Sequence, residues 1–200
     1  VIADSSARNP KIRFKTPVND FRLSWIEQNK ISFNSASSGF APSLLYLFNI
    51  KDGSFSKIID NIYGFIPLWS PDGKQVLYSA TNNNGLILSL YLKTADGKTS
   101  KLSVATLPEK CAWSQDSKEI FCAVPRNLDG GPMPDEYYQG LTYFSDNFIK
   151  IDPKTNEITE FFNEQEFDAQ NLIITTDKRK LFFINRKDGT LWGMNLGTND

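Results

Sequence analysis

Three tryptophans, Trp25, Trp69 and Trp113, recur at a spacing of 44 residues. A fixed period of that size means that the chain is assembled from stacked supersecondary units, because no single helix or strand repeats over such a distance. Each tryptophan opens the same passage. In the second unit it is Pro67-Leu68-Trp69-Ser70-Pro71-Asp72-Gly73-Lys74-Gln75-Val76-Leu77-Tyr78: an apolar run, a Pro-Asp-Gly turn, and an alternating apolar run, which reads as a hairpin. The third unit repeats it from Cys111-Ala112-Trp113-Ser114-Gln115-Asp116-Ser117 to Phe121-Cys122. The first is degenerate, from Ser24-Trp25 to Ser32-Phe33, and the fourth has lost its tryptophan, from Ile174-Thr175 to Phe182-Phe183.

Each hairpin is followed by a third apolar segment and a second turn, as in Leu45–Ile50 before Asp52-Gly53, Leu88–Leu92 before Asp96-Gly97, and Phe148–Ile151 before Asp152-Pro153. Leu191–Leu196 is the last of this set, and Ser56–Ile59 and Ser100–Ser103 add a fourth strand to their units. Four short antiparallel strands per period make a blade, so the fold class is all-β, a β-propeller. The aromatic content of 13%, with 15 Phe in 200 residues, suits half-buried pleated surfaces. The reading divides the chain into a lead-in over 1–19 with an outer strand, blades over 20–61, 62–106 and 107–168, and a last blade over 169–200 lacking its own fourth strand. The tryptophans and turn residues are packing and turn chemistry rather than a site.

The Trp69-Ser70-Pro71-Asp72-Gly73-Lys74 signature resembles the WD40-like repeats of TolB-like propellers and of the propeller domains that precede the catalytic domain in dipeptidyl peptidases. The stretch from Leu107-Pro108-Glu109-Lys110-Cys111 through Cys122-Ala123-Val124-Pro125, with Phe182–Gly189, is similar to uncharacterised exported propellers of small-genome uncultivated bacteria. That resemblance implies a membrane anchor and further blades outside this stretch, and an extracytoplasmic or cell-envelope location. The chain opens Val1-Ile2-Ala3-Asp4 without Met, in keeping with a signal or anchor segment that is not part of it. The strand count amounts to about four blade equivalents. This fits the C-terminal part of a roughly seven-bladed ring, or a closed four-bladed ring in which Lys11-Ile12-Arg13-Phe14-Lys15 supplies the missing outer strand of the last blade.

Several chemistries are excluded by composition. Histidine is absent, which removes Ser-His-Asp and Cys-His nucleophile systems and His zinc ligands, and no G-x-S-x-G elbow occurs. A net charge of -1 without a basic stripe argues against nucleic acid as a partner. No apolar run reaches the roughly 18 residues of a membrane span, so any membrane attachment runs through an anchor outside this chain. Asp135-Glu136 lacks a twelve-residue calcium-loop pattern, and neither a metal nor a cofactor is expected.

Both cysteines lie in the third unit. A hairpin centred on Asp116-Ser117 sets Cys111 directly opposite Cys122, and cross-strand neighbours bring Cβ atoms to about 4.5–5.5 Å, near disulfide distance. A bulged turn would shift the register and leave two small buried thiols instead. Implied export to an oxidising compartment favours the disulfide.

The period fails in one place. Trp to the second Asp turn spans 27 residues in the first two units but 39 in the third, and the passage from that turn to the next blade is 22 residues instead of 17. In a four-strand meander both surpluses emerge on the same face. The first contains Asp135, Glu136, Tyr137 and Tyr138, and the second Glu164, Glu166 and Asp168, which together predict an acidic, aromatic patch. Enlarged loops on a rigid scaffold carry binding, and Tyr gives large contact area at low entropy cost; the competing expectation is a decoration that packs on its neighbour or marks a blade junction, its acids merely solvated. The function expected is a non-catalytic binding or scaffolding module for a protein or a cell-envelope polymer. The alternatives are a propeller enzyme using two carboxylates, of glycosidase or lyase type, and a regulatory propeller of a peptidase whose catalytic domain lies outside this chain.

Overall fold

The computed structural model describes residues 2, 3, 6, 8–15 and 20–197. Among the described residues fifteen strands form four antiparallel meanders in sequence order. The first blade is β1 (Phe21–Glu27), β2 (Lys30–Ser35), β3 (Ser43–Asn49) and β4 (Phe55–Ile62). The second is β5 (Pro67–Trp69), β6 (Gln75–Ala80), β7 (Ser89–Thr94) and β8 (Thr99–Lys101). The third holds β9 (Cys111–Trp113), β10 (Ile120–Pro125), β11 (Asp146–Ile151) and β12 (Ile158–Phe162). Among the described residues the fourth has three strands, β13 (Ala169–Ile174), β14 (Lys180–Asn185) and β15 (Thr190–Asn195). A helix α1 (Asp135–Gln139) sits in the third blade's insertion.

The hairpin turns form as their residues demand. The Ser70 hydroxyl donates to Asp72 at 2.6 Å and accepts from the Gln75 N–H, while the Lys74 N–H donates to the same Asp72 oxygen. Ser114, Asp116, Lys118 and Glu119 repeat this set in the third blade. The turns of the second, third and fourth blades each take one left-handed residue, Gly73, Ser117 and Lys178.

Side chains facing away from one sheet interlock with the next. Leu45 and Ile59 of the first blade pack with Phe65, Val76 and Tyr78 of the second. Leu77, Leu90 and Leu92 meet Cys111, Trp113 and Ile120, and Phe121 and Phe148 meet Leu172, Leu181 and Phe183. The register pairs Cys122 with Cys111, and the two form a disulfide whose cysteines are 4% and 0% exposed.

The lead-in departs from expectation. Residues 12–15 join no ladder, and the last sheet gains no strand from them among the described residues. Phe14 instead lies on the first blade, its ring 4.7 Å from that of Phe55 and 6.0 Å from that of Phe33. The reason is local: an aromatic face on the adjacent blade offers burial without the loop-closure cost of reaching the far end of the arc.

Candidate functional site: the loop face

The connections between second and third strands, and between successive blades, all emerge on one side of the propeller. The third blade's long connection, residues 126–145, crosses over its neighbours instead of standing free. Asp135, at the start of α1, accepts hydrogen bonds from the Ser38 hydroxyl at 2.8 Å and the Gly39 N–H at 2.6 Å on the first blade. The Met133 N–H donates to the Gly85 carbonyl on the second at 2.8 Å. The loops meet so closely that a Cβ on Gly39 would fall 2.4 Å from the Gly85 Cα, and one on Gly85 would fall 2.5 Å from the Pro132 Cβ. Glu136 folds its carboxylate back onto the Gly131 N–H and the Thr142 hydroxyl, and Gly140, left-handed at φ 75°, ends α1.

Beneath this arm lies a fully buried ionic cluster. Lys110, in the 3-10 turn Pro108–Lys110, places Nζ 2.8 Å from Asp146 and 2.6 Å from Asp168, and all three side chains are inaccessible to solvent. Asp168 also accepts from the Tyr137 hydroxyl at 3.2 Å and the Phe144 N–H at 3.2 Å, and Asp146 accepts from the Ala169 N–H at 2.7 Å. Arg186 of the fourth blade comes within 3.6 Å of Asp168 and donates to the carbonyls of Tyr137 and Thr142, its guanidinium stacked on the rings of Tyr137 and Tyr143. Two carboxylates are thus matched by two cations, the condition for keeping such charges out of water. Burial pushes the Asp146 carboxyl above its ordinary range although Lys110 opposes the shift, and its Oδ1 has no hydrogen-bond partner. Burial likewise raises the Tyr137 and Tyr138 hydroxyls, reinforced by the Asp168 and Glu109 carboxylates respectively.

The seven residues singled out from sequence therefore separate. Tyr137 and Asp168 are interior groups, 2% and 0% exposed, so they do not form a surface patch. Asp135 and Glu136 spend their carboxylates on the arm's own backbone and on the first blade. Tyr138, Glu164 and Glu166 remain exposed, with Arg22 of β1 5.8 Å from the Tyr138 ring. Most of the insertion packs on its neighbours, but Asp135, Glu136 and Asp168 are held by hydrogen bonds instead of being merely solvated. The reason is geometric: adjacent helical positions point about 100° apart, so Tyr137 turns inward while Tyr138 reaches the surface, which a residue count does not separate.

The loop face presents several large apolar side chains to solvent, beside exposed polar ones. Phe40 of the first blade, Leu86 and Ile87 of the second, and Leu141 and Tyr143 of the third are 61%, 41%, 74%, 67% and 54% exposed. Ile87 sits at φ 60°, a left-handed conformation that a β-branched side chain adopts only when held there. The sequence signal for these positions is an apolar residue inside a Gly-bounded connection, outside the strand alternation. The signal for Lys110 is its place in the repeat, 44 residues after Ile66, a core position.

No family model matches this sequence, and no curated protein matches it. Solved structures do. TolB from Acinetobacter baumannii aligns over 98% of this chain and 46% of its own length at 17% identity, with a TM-score of 0.64. A putative TolB from Agrobacterium tumefaciens aligns over 95% and 63% at 17% identity, TM-score 0.62. An oligogalacturonate lyase in complex with manganese aligns over 91% and 55% at 14% identity, TM-score 0.59. The chain spans about half the length of these structures.

Proposed function

Given a TolB-like propeller fold, we propose that the chain acts as a non-catalytic binding module whose loop face docks a protein partner in an extracytoplasmic compartment. One observation carries the reading: exposed apolar side chains from three blades stand on loops that are hydrogen-bonded to one another, so a contact surface exists before any partner arrives. Binding to a surface ordered in advance avoids the entropy cost of fixing loops, and exposed apolar groups at this density mark interaction sites. Tyr138 and Tyr143, each with an arginine near its ring, suit the centre of such a contact. Glu164 and Glu166 at the margin favour a partner with basic groups around its own apolar centre. The buried disulfide supports an oxidising compartment.

The test places a photocrosslinking residue at Tyr143, on the loop face, or at Lys118, in the turn on the other face. We expect a discrete crosslinked partner from position 143 alone, and at least a fivefold loss when Tyr138, Leu141 and Phe40 are changed together to Ala. Equal crosslinking from both positions would remove the loop face from the reading.

A further inference from the structure

The opposite face, where the hairpin turns lie, carries a feature that protein docking on the loop face does not use. At the junction of the second and third blades, the Trp113 indole N–H donates to the Leu68 carbonyl at 3.2 Å, and Trp113 is 7% exposed. At the junction of the first and second blades the equivalent indole, Trp69, has its N–H shut off from solvent without a partner. The carbonyl 44 residues before Leu68, that of Ser24, accepts from the Ser32 hydroxyl instead. This junction stands open as a cavity of about 630 Å³, with Leu47, Ile58, Trp69 and Val76 in its walls and Lys30, Lys57, Lys74 and Lys93 among its lining residues. A second cavity of about 480 Å³ follows between the second and third blades, lined by Lys74, Lys98 and Lys154 with Ser100 and Asn156. Lys74, Thr94 and Ala95 line both, so the two adjoin.

Their charge is lopsided. The two linings hold six lysines against Glu27 and Asp96, in a chain whose net charge is -1. Glu27 is tied to Lys30 at 2.8 Å, and Asp96 is turned onto the Thr94 hydroxyl and the Lys98 N–H. Lys57 is paired with Asp60. Lys74, Lys93, Lys98 and Lys154 form no ion pair among the described residues, and lysines gathered around a cleft in this way raise the local concentration of anions.

We propose that these adjoining grooves bind a linear acidic glycan, its carboxylates meeting Lys74, Lys93, Lys98 and Lys154 in turn and one sugar ring lying on Trp69. The spacing of cations over two successive junctions fits charges spaced along a chain. A single aromatic ring suits the apolar face of a pyranose, whereas single-stranded nucleic acid calls for a row of stacking rings. The site uses none of the loop-face residues, so either proposal can fail while the other stands.

The test titrates the full chain with hexagalacturonate at low ionic strength, following heat and tryptophan fluorescence, with maltohexaose and hexathymidylate as comparisons. Hexagalacturonate is expected to bind and to weaken steeply with salt. Affinity should fall at least tenfold in K74E/K93E and stay unchanged in K118E, and W69F should bind while losing most of the fluorescence response. If K74E/K93E is misfolded by circular dichroism, K98Q/K154Q takes its place with the same expectation. No binding, binding indifferent to both lysine pairs, or equal binding of hexathymidylate or maltohexaose would overturn the proposal.

Discussion

The second and third blades begin with the same twelve-residue pattern, sharing its Trp, Ser, Asp and Lys, and acquire different roles. Their turns superimpose in chemistry: Ser70 with Asp72 and Ser114 with Asp116, both at 2.6 Å, each serine also accepting from the residue five further on. The blades diverge at their flanks. The third is sealed, its tryptophan hydrogen-bonded to the preceding blade, its first two strands cross-linked by Cys111–Cys122, and its far side pinned by Lys110 between Asp146 and Asp168. The second is left open toward the first, with an indole N–H unpartnered and lysines around the gap. The shared residues build a blade, and whatever a blade does beyond stacking is written in residues outside the shared passage.

The sealed blade can be broken at its ionic cluster, where the largest effect is expected. Lys110→Ala leaves two carboxylates facing each other out of water, and losing one partner of a buried ion pair costs about 3–5 kcal/mol. Urea denaturation followed by tryptophan fluorescence should show that loss. K110M/D146N/D168N, which removes all three charges while keeping one acceptor oxygen at position 168 for either the Tyr137 hydroxyl or the Phe144 N–H, should recover part of it. A triple variant no better than the single one would mean that packing around Lys110, rather than charge, holds the site.

Next in size is the disulfide. Cys111 and Cys122 are 11 residues apart, and closing a ring of that length restricts the unfolded chain by about 2–3 kcal/mol. C111A/C122A should show that drop in the same assay, and the wild-type chain should show it on adding reductant. An equal midpoint with and without reductant would mean that the strand pairing, not the bond, sets the stability of this hairpin.

Much of the fold was legible because a propeller is arithmetic. Trp spacing predicts the blades, and turn centring predicts that Cys111 faces Cys122, since antiparallel register follows from the turn once no bulge intervenes. The insertion was legible as a place but not as a surface. Whether Asp135 faces solvent or the Ser38-Gly39 loop depends on where a neighbouring blade's loop lies, and that distance across the arc appears in no local pattern. Lys110 is the sharper omission. Its side chain looks ordinary in isolation, and only alignment with Ile66 reveals a charge in a core position, which requires acids brought in from residues 36 and 58 positions away. Phe14 was misplaced for a related reason: an apolar alternation predicts a strand but not which sheet edge or face receives it.

The smallest effect compares the two turns themselves. The Ser114 hydroxyl and then Lys178, reaching from the fourth blade at 2.9 Å, hold the Asp116 carboxyl well below the usual carboxylate range. Asp72 is lowered less: its partial burial raises it, and the Ser70 hydroxyl and Lys74 N–H outweigh that. For both, the folded value lies under the unfolded one. Their stabilisation is therefore complete above about pH 4, the unfolded carboxylate value, and drains away as the pH falls toward the folded values. Lys178→Met should raise the Asp116 midpoint in a carbon-detected NMR titration and leave Asp72 where it is. Asp116 should still titrate below an ordinary aspartate, because the Ser114 hydrogen bond survives. If Asp116 returns to the ordinary value, the serine contributes nothing and the lysine between blades sets the carboxyl alone; if it does not move, the turn's own hydrogen bonds suffice for Asp116, and Lys178 acts at this edge only through Glu119, 2.6 Å away.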